Sequence, residues 1–209
     1  MKRIIALLVL IFIGTTSCKQ EKKEAKTDAP DTIEVTEKFV VKPEGTSVKW
    51  TAYKTSEKIG VGGQFTTVNF DNKEGASPQE ALNNLNFSIP ISSLFTNDAT
   101  NTRDAKLKEF FFGAMLDTEF LKGTIKYTND ACVASITMNG VTNDLPLQVS
   151  ITDARRVSMT GTMNLKDWDA LGALESINKA CFDLHKGSDG VSKTWEDVAI
   201  EVNTFLRKS

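Results

Sequence analysis

The sequence predicts an all-β fold, an antiparallel barrel or sandwich of about eight strands with two or three short helices. Three observations carry this expectation. Apolar and polar residues alternate with period two in one segment after another, the signature of half-buried antiparallel strands. The connections between those segments are mostly short and turn-like, as in a meander. Only three stretches carry helical spacing instead.

The strands follow in order. Thr46 to Tyr53 puts Val48 and Trp50 in register, and Val61 to Phe70 carries Phe65 and Phe70 among β-branched residues. Asn86 to Ile91 alternates Phe87, Ile89 and Ile91, and Lys122 to Thr128 places Ile125 and Tyr127 on one face. Cys132 to Met138, Leu145 to Ile151 and Val157 to Leu165 alternate throughout, and Asp197 to Phe205 alternates up to Val202 before slipping to Phe205. Asn129-Asp130 and Asn139-Gly140 are turn sequences.

The helices come next. Ser77 to Leu85 starts with serine, then proline, with Glu80 three residues on from the serine, a good helix start. Thr102 to Phe112 is a second, short helix. Asp167 to Leu184 is the third, with Trp168, Leu171, Leu174, Ile177, Cys181 and Leu184 as its apolar stripe and Gly187 as its stop. That stripe is expected on the barrel or across one of its mouths.

The N-terminal segment sets the compartment. Lys2 and Arg3 precede an apolar run, Ile4 to Ile13, then Gly14-Thr15-Thr16-Ser17 and Cys18. The run is too short to span a bilayer, which takes roughly 20 apolar residues, and has the length of a signal-peptide core. A signal ending at a cysteine resembles a bacterial lipoprotein signal, in which the cysteine is acylated. Thr15 departs from the aliphatic residue usual three places before it. The alternative is an ordinary secretory signal. The expected organisation is a signal peptide over 1–17, a lipidated Cys18 with a flexible stalk over 18–38, and one domain over 39–209. The stalk is nearly all charged or small, without an aromatic residue, so it cannot bury enough apolar surface to fold. The expected location is the bacterial cell envelope, periplasmic or surface-facing, held to the membrane by lipid chains.

Charge and cysteines narrow the class. The formal charge is −2 at pH 7 and becomes −4 once residues 1–17, which hold Lys2 and Arg3 and no acid, are removed. A mildly acidic domain without a Lys/Arg cluster argues against nucleic acid as partner. Cys132 and Cys181 are either a disulfide, which an oxidising compartment permits, or two buried thiols.

The residues then resemble a known family. Gly63-x-Phe65 lies in an early strand. Ile89-x-Ile91-Ser92-Ser93-Leu94-Phe95-Thr96 is followed by Arg103-Asp104 and Leu107-x-x-Phe110-Phe111-Phe112, the most specific element. Ile136 to Thr142 (ITMNGVT), Asp167-Trp168 and a final Val198-x-Ile200-x-Val202 complete the order. Together, over roughly Phe39 to Leu206, they resemble the YceI-like family. That resemblance implies a small secreted protein with a lipocalin-like antiparallel barrel and a polyisoprenoid-type lipid as ligand. The chain departs from the pattern at Lys106, where a histidine is common, and in a long Gly172-to-Asp189 helix and loop. The second departure bears on the shape of one mouth and so on the ligand.

A barrel of about eight strands is just wide enough to be filled by side chains or to hold one slender ligand. The expected inward lining is Phe65, Phe70, Phe95, Phe111, Phe112, Phe120, Tyr127, Ile136, Met138, Met159 and Met163, with Trp168 from the third helix. Methionine suits a lining that must accept a flexible chain. One five-carbon isoprene unit buries roughly 4 kcal/mol against an association cost of roughly 4–15 kcal/mol, so a long tail fits better than a small molecule. Such a ligand would be an isoprenoid lipid or a quinone-type lipid. The alternative is a filled barrel acting as an envelope interaction protein, and a homodimer stays open.

Chemistry at a side chain has little support. His185 is the single histidine, so a Ser/His/Asp site would have to use it. Its surroundings, Asp183-Leu184-His185-Lys186-Gly187-Ser188-Asp189-Gly190, read more simply as a helix C-terminus and an Asp-Gly turn. A metal site from Asp183, His185 and Asp189 lacks a second cluster of ligands. Arg103-Asp104 reads as a helix-start ion pair before it reads as a headgroup clamp. The expectation is a binding protein and not an enzyme.

Overall fold

The computed structural model describes residues 37–100, 102–128 and 131–208. The chain divides into two units, Met1–Val35 and Thr36–Ser209, and the second holds the fold. Cys18, the segment before it, most of the stalk and the Asn129-Asp130 turn lie outside the described residues.

The strands are β1 (Phe39–Val40), β2 (Thr46–Lys54), β3 (Ile59–Phe65), β4 (Asn69–Phe70), β5 (Glu74–Gly75), β6 (Leu85–Pro90), β7 (Leu94–Phe95), β8 (Phe120–Thr128), β9 (Ala131–Met138), β10 (Val141–Thr152), β11 (Arg156–Asn164), β12 (Thr194–Phe205) and β13 (Arg207–Lys208). Ten form one antiparallel sheet in the order β4-β6-β8-β9-β10-β11-β12-β2-β3-β7. The chain itself joins the two edges. Beyond β3 it runs into β4, which pairs with β6, and beyond β6 it runs into β7, which pairs back on β3. At that crossing the Thr66 N–H donates to the Ser93 carbonyl at 2.9 Å. The sheet thereby curls into a barrel and protects both edges. The expected single strand from Val61 to Phe70 is thus two strands, β4 at one end of the sheet order and β3 next to the other.

Alternation places one face of every strand inward. Phe65 pairs with Val48, Val48 with Val202 and Val202 with Met159, so four inward side chains line up across four strands. The next inward row is Gly63, Trp50, Ile200 and Gly161. Gly63 has a steric reason: a Cβ there would stand 2.3 Å from the Trp50 indole. The Asn139-Gly140 turn forms as expected, with φ of 53° and 72°. Two consecutive positive φ angles match the twist of a two-residue hairpin.

The barrel ends differ. At one end the starts of β2 and β11 meet the end of β12, and a small sheet of order β13-β1-β5 together with α1 (Pro78–Leu82) covers them. Leu206 is 0 % exposed there, and Val41, Leu82 and Leu85 are buried beside it in the same core. Ser77 caps α1 by accepting from the Glu80 N–H at 3.2 Å, while the Glu80 carboxylate accepts from the Ala76 N–H at 2.9 Å. The helix stops short of the expected Leu85 because Asn84 turns left-handed, φ 58°. At the other end lie α2 (Arg103–Lys106), a π turn (Leu107–Phe111), a 3-10 turn (Phe112–Ala114) and α3 (Leu171–Ala180).

The third expected helix is three pieces. A 3-10 turn (Leu165–Trp168) ends at Asp169, left-handed with φ 52°, then α3 runs, then a 3-10 turn (Phe182–His185). Trp168, Ile177 and Cys181 of the expected stripe are buried and Leu174 is half-buried, while Leu171 and Leu184 are exposed and Ala173 is buried in addition. Among the described residues, the buried apolar ones run from Val40 to Leu206 within the Thr36–Ser209 unit. The domain therefore carries its own core.

Candidate lipid-binding cavity

The barrel interior is not filled. It holds a cavity of about 430 Å³. That falls within the roughly 300–1,000 Å³ of small-molecule sites. Eight of the expected contacts line it: Phe65, Phe70, Phe111, Phe112, Ile136, Met138, Met159 and Met163. Phe111 and Phe112 meet edge to face, 5.0 Å between centroids.

Four expected contacts lie elsewhere. Phe120 is 36 % exposed because it stands five residues from the inward Ile125, an odd step along β8. Phe95 is 41 % exposed because its neighbour Leu94 takes the inward position opposite Phe65. Trp168 is 1 % exposed and does not line the cavity. Its indole N–H donates to the Ile136 carbonyl at 2.9 Å, and Asn139 Nδ2 donates to its carbonyl at 3.1 Å, so it locks the β9–β10 hairpin to the turn after β11. Tyr127 packs against the core at the far end of β8, where its N–H donates to Asn83 Oδ1.

The reading of alternation alone missed several wall residues. Trp50, Val198, Ile200 and Val202 line the cavity from β2 and β12. Their alternation was visible in the sequence, but the expected lining favoured aromatic residues and methionine. The Trp50 indole N–H is buried in this wall without a hydrogen-bond partner among the described residues. An unpaired buried donor costs roughly 1–3 kcal/mol.

The cavity opens at the helical end. Its exposed lining residues, Thr100, Thr102 and Leu184, all lie there. The mouth adds Asp98, Arg103 and Lys106 from one side and Tyr53, Lys54, His185 and Trp195 from the other. Arg103 does not pair with Asp104 as expected. It bridges to Asp98 at 3.4 Å, while Asp104 accepts from the Thr96 N–H at 2.9 Å. The intervening loop folds back, so the acid in reach of Arg103 comes from before the helix.

His185 is held by Asn178 Oδ1 at 3.1 Å and Thr194 Oγ1 at 2.9 Å. Burial, then the Lys54 and Lys106 ammonium groups, push its pKa down to about 4. It is neutral near pH 7, a wall residue whose hydrogen bonds tie α3 to β12. Asp183 instead bridges to Lys186 at 2.7 Å, and Asp189 accepts from the Val191 N–H. Cys132 and Cys181 are both buried and unjoined. Burial pushes the Cys132 thiol up to about 11, which makes it an inert packing group.

A lipophilic cavity inside a curled antiparallel barrel with one open mouth defines a small ligand-binding β-barrel. Residues 39–205 match the YceI-like domain, and the chain belongs to that family. Among solved structures it is similar to a polyisoprenoid binding domain from Saccharophagus degradans implicated in plant cell wall breakdown. That likeness has a TM-score of 0.61 at 10 % identity and covers 82 % of this chain and 98 % of the other. BcnA of Burkholderia cenocepacia is similar with a TM-score of 0.49 at 14 % identity over 79 % and 98 % of the two chains. The Campylobacter jejuni YceI protein is similar with a TM-score of 0.44 at 18 % identity over 71 % and 85 %. No curated protein matches the chain.

Proposed function

We propose that this protein is a non-enzymatic lipid carrier of the bacterial envelope, holding a long apolar ligand, an isoprenoid or quinone-type lipid, in the barrel lumen. The observation that carries the reading is the apolar cavity of about 430 Å³. A barrel filled by its own side chains has no such space, so the cavity favours the carrier over the filled-barrel interaction protein. The S. degradans relative, described as binding polyisoprenoid, supports the ligand class. The unpaired Trp50 N–H adds a polar detail: a ligand oxygen within reach would satisfy it. The test is native mass spectrometry of the purified domain, followed by solvent extraction. Expected is a co-purifying apolar species, or uptake of added polyprenyl lipid. Protein that is ligand-free and takes up none overturns the reading.

The anchor is part of this proposal and rests on the Lys2-to-Cys18 signal pattern. Cys18→Ser is expected to leave the protein unprocessed or released in soluble form, read by processing and detergent-phase partitioning. Unchanged behaviour of the variant removes the anchor from the proposal.

A further inference from the structure

Four of the exposed apolar side chains stand near the cavity mouth, while Phe95 and Phe120 are exposed on β7 and β8. Ile59, Phe182, Leu184 and Val191 are each more than half exposed. They sit on three neighbouring segments, the start of β3, the Phe182–His185 turn and the loop before β12, tied together by main-chain and side-chain hydrogen bonds. Ile59 is the strand partner of Lys54, and Lys54 Nζ donates to the Leu184 carbonyl at 2.9 Å. The Lys193 N–H donates to the His185 carbonyl, and the Gly187 N–H to the Val191 carbonyl. The covered end, by contrast, buries Val41, Leu82 and Leu206. An exposed apolar cluster marks an interaction site.

Aromatic rings paired with lysines stand just behind these side chains. Lys58 Nζ lies 5.0 Å from the Tyr53 ring centre and 4.8 Å from that of Trp195, Lys193 lies 3.5 Å from the Trp195 ring, and Lys186 lies 4.8 Å from the Phe182 ring. Apolar tips backed by Trp, Tyr and lysine are the composition of a bilayer interface, where amphipathic rings sit at headgroup level and lysines extend to water. Asp197 and Asp183 pair with Lys58 and Lys186. The face is therefore not a polybasic patch, and its attraction to a surface is apolar.

We propose that the open end of the barrel docks on the surface of a lipid bilayer, with Ile59, Phe182, Leu184 and Val191 entering the headgroup layer so that the cavity mouth opens into lipid. This rests on the carrier reading, since the medium supplying a long apolar ligand must meet the mouth. A bilayer suits side chains on separate segments better than a second protein surface would, because it needs no shape complementarity. An anchor at Cys18 does not oppose it. Glu37 pairs with Lys208 at the covered end. The segment 19–38 spans at most roughly 70 Å at about 3.3–3.6 Å per residue. That exceeds the roughly 30 Å length of a nine-residue strand such as β2, so a domain tethered at the covered end can still set its mouth on the membrane.

The test is flotation of chain 37–209, which holds the hydrophobic core of the described residues, with phosphatidylcholine vesicles. Expected is vesicle binding that changes little with salt. Phe182→Ser combined with Leu184→Ser is expected to lower it on the order of tenfold or more. Both side chains are exposed, so the fold should survive, checked by circular dichroism. Phe95→Ser, exposed on the barrel wall, is expected to leave binding unchanged. Met163→Arg, inside the lumen, is expected to keep docking while losing ligand, which separates this proposal from the carrier reading. Absence of vesicle binding, equal loss with Phe95→Ser, or self-association through this face in place of vesicle binding overturns the proposal.

Discussion

The two ends of the barrel are built from the same strands to opposite purposes. At the covered end, a three-stranded sheet and a capped helix bury Leu206, Val41 and Leu82. At the open end, short irregular turns leave Leu184 and Phe182 in solvent, and the last turn of the cavity wall is polar. The difference teaches where stability and ligand access are separately held. One end closes the hydrophobic core, and the other leaves the lumen reachable.

The largest effect should come from blocking the lumen between the ends. Met163 is buried and lines the cavity. Met163→Arg puts a charge without a partner into an apolar space, at a cost of several kcal/mol. Ligand recovery in native mass spectra should fall to background while circular dichroism still reports a β fold. Retention of ligand by a folded variant would break the link between this cavity and binding.

The next effect compares the ends directly. Leu206→Ala at the covered end should destabilise by about 2–5 kcal/mol, because it opens a cavity in packed surroundings. Leu184→Ala at the open end should stay within about 0.5 kcal/mol, because the side chain is already in solvent. Denaturant unfolding of both variants checks the contrast, and equal losses would end it.

Mild acid should act through the open end. The folded His185 titrates near 4 and the unfolded one near 6.5. Above pH 6.5 both states are neutral, and the group contributes no pH dependence. Between 6.5 and about 4 the unfolded state binds the extra proton, so stability falls as pH falls. The ring is only partly buried, so solvent screening limits the loss to roughly 1–2 kcal/mol. Glu57, held down to about 2 by Ser188, has an ordinary value of 4.5 and leaves the window from 6.5 to 4.5 to His185. His185→Gln should flatten unfolding free energy against pH in that window.

Much of this contrast was legible before the fold was known. Alternation identified the longer strands and the inward Met159, Met163 and Ile136, because a half-buried strand must repeat every two residues. The same rule, applied from Ile125, excludes Phe120, and aromatic character alone had drawn it into the expected lining. What alternation could not supply was the break at Asp169, a single left-handed residue after which Leu171 falls outside the buried stripe. Nor could it supply Arg103 with Asp98, since a loop decides which acid comes within reach. The open end is where the sequence reading failed most. Its turns are short and irregular, and local periodicity says little about segments of three to five residues.

The smallest expected effect sharpens the comparison at the helix starts. Ser77 at the covered end accepts from the Glu80 N–H, and Glu80 returns a bond to the Ala76 N–H. Side chains thus satisfy the Glu80 N–H within the first turn and the Ala76 N–H just before the cap. Thr102 precedes α2 at the open end without a side-chain bond to that helix, its hydroxyl meeting Thr100 instead. Ser77→Ala should therefore cost about 1 kcal/mol. Thr102→Ala should cost under about 0.5 kcal/mol, as for an exposed position outside any cap. Thermal unfolding of the two alanine variants measures the difference. A larger loss at Thr102 would mean that the mouth, and not the covered end, is the more tightly built of the two.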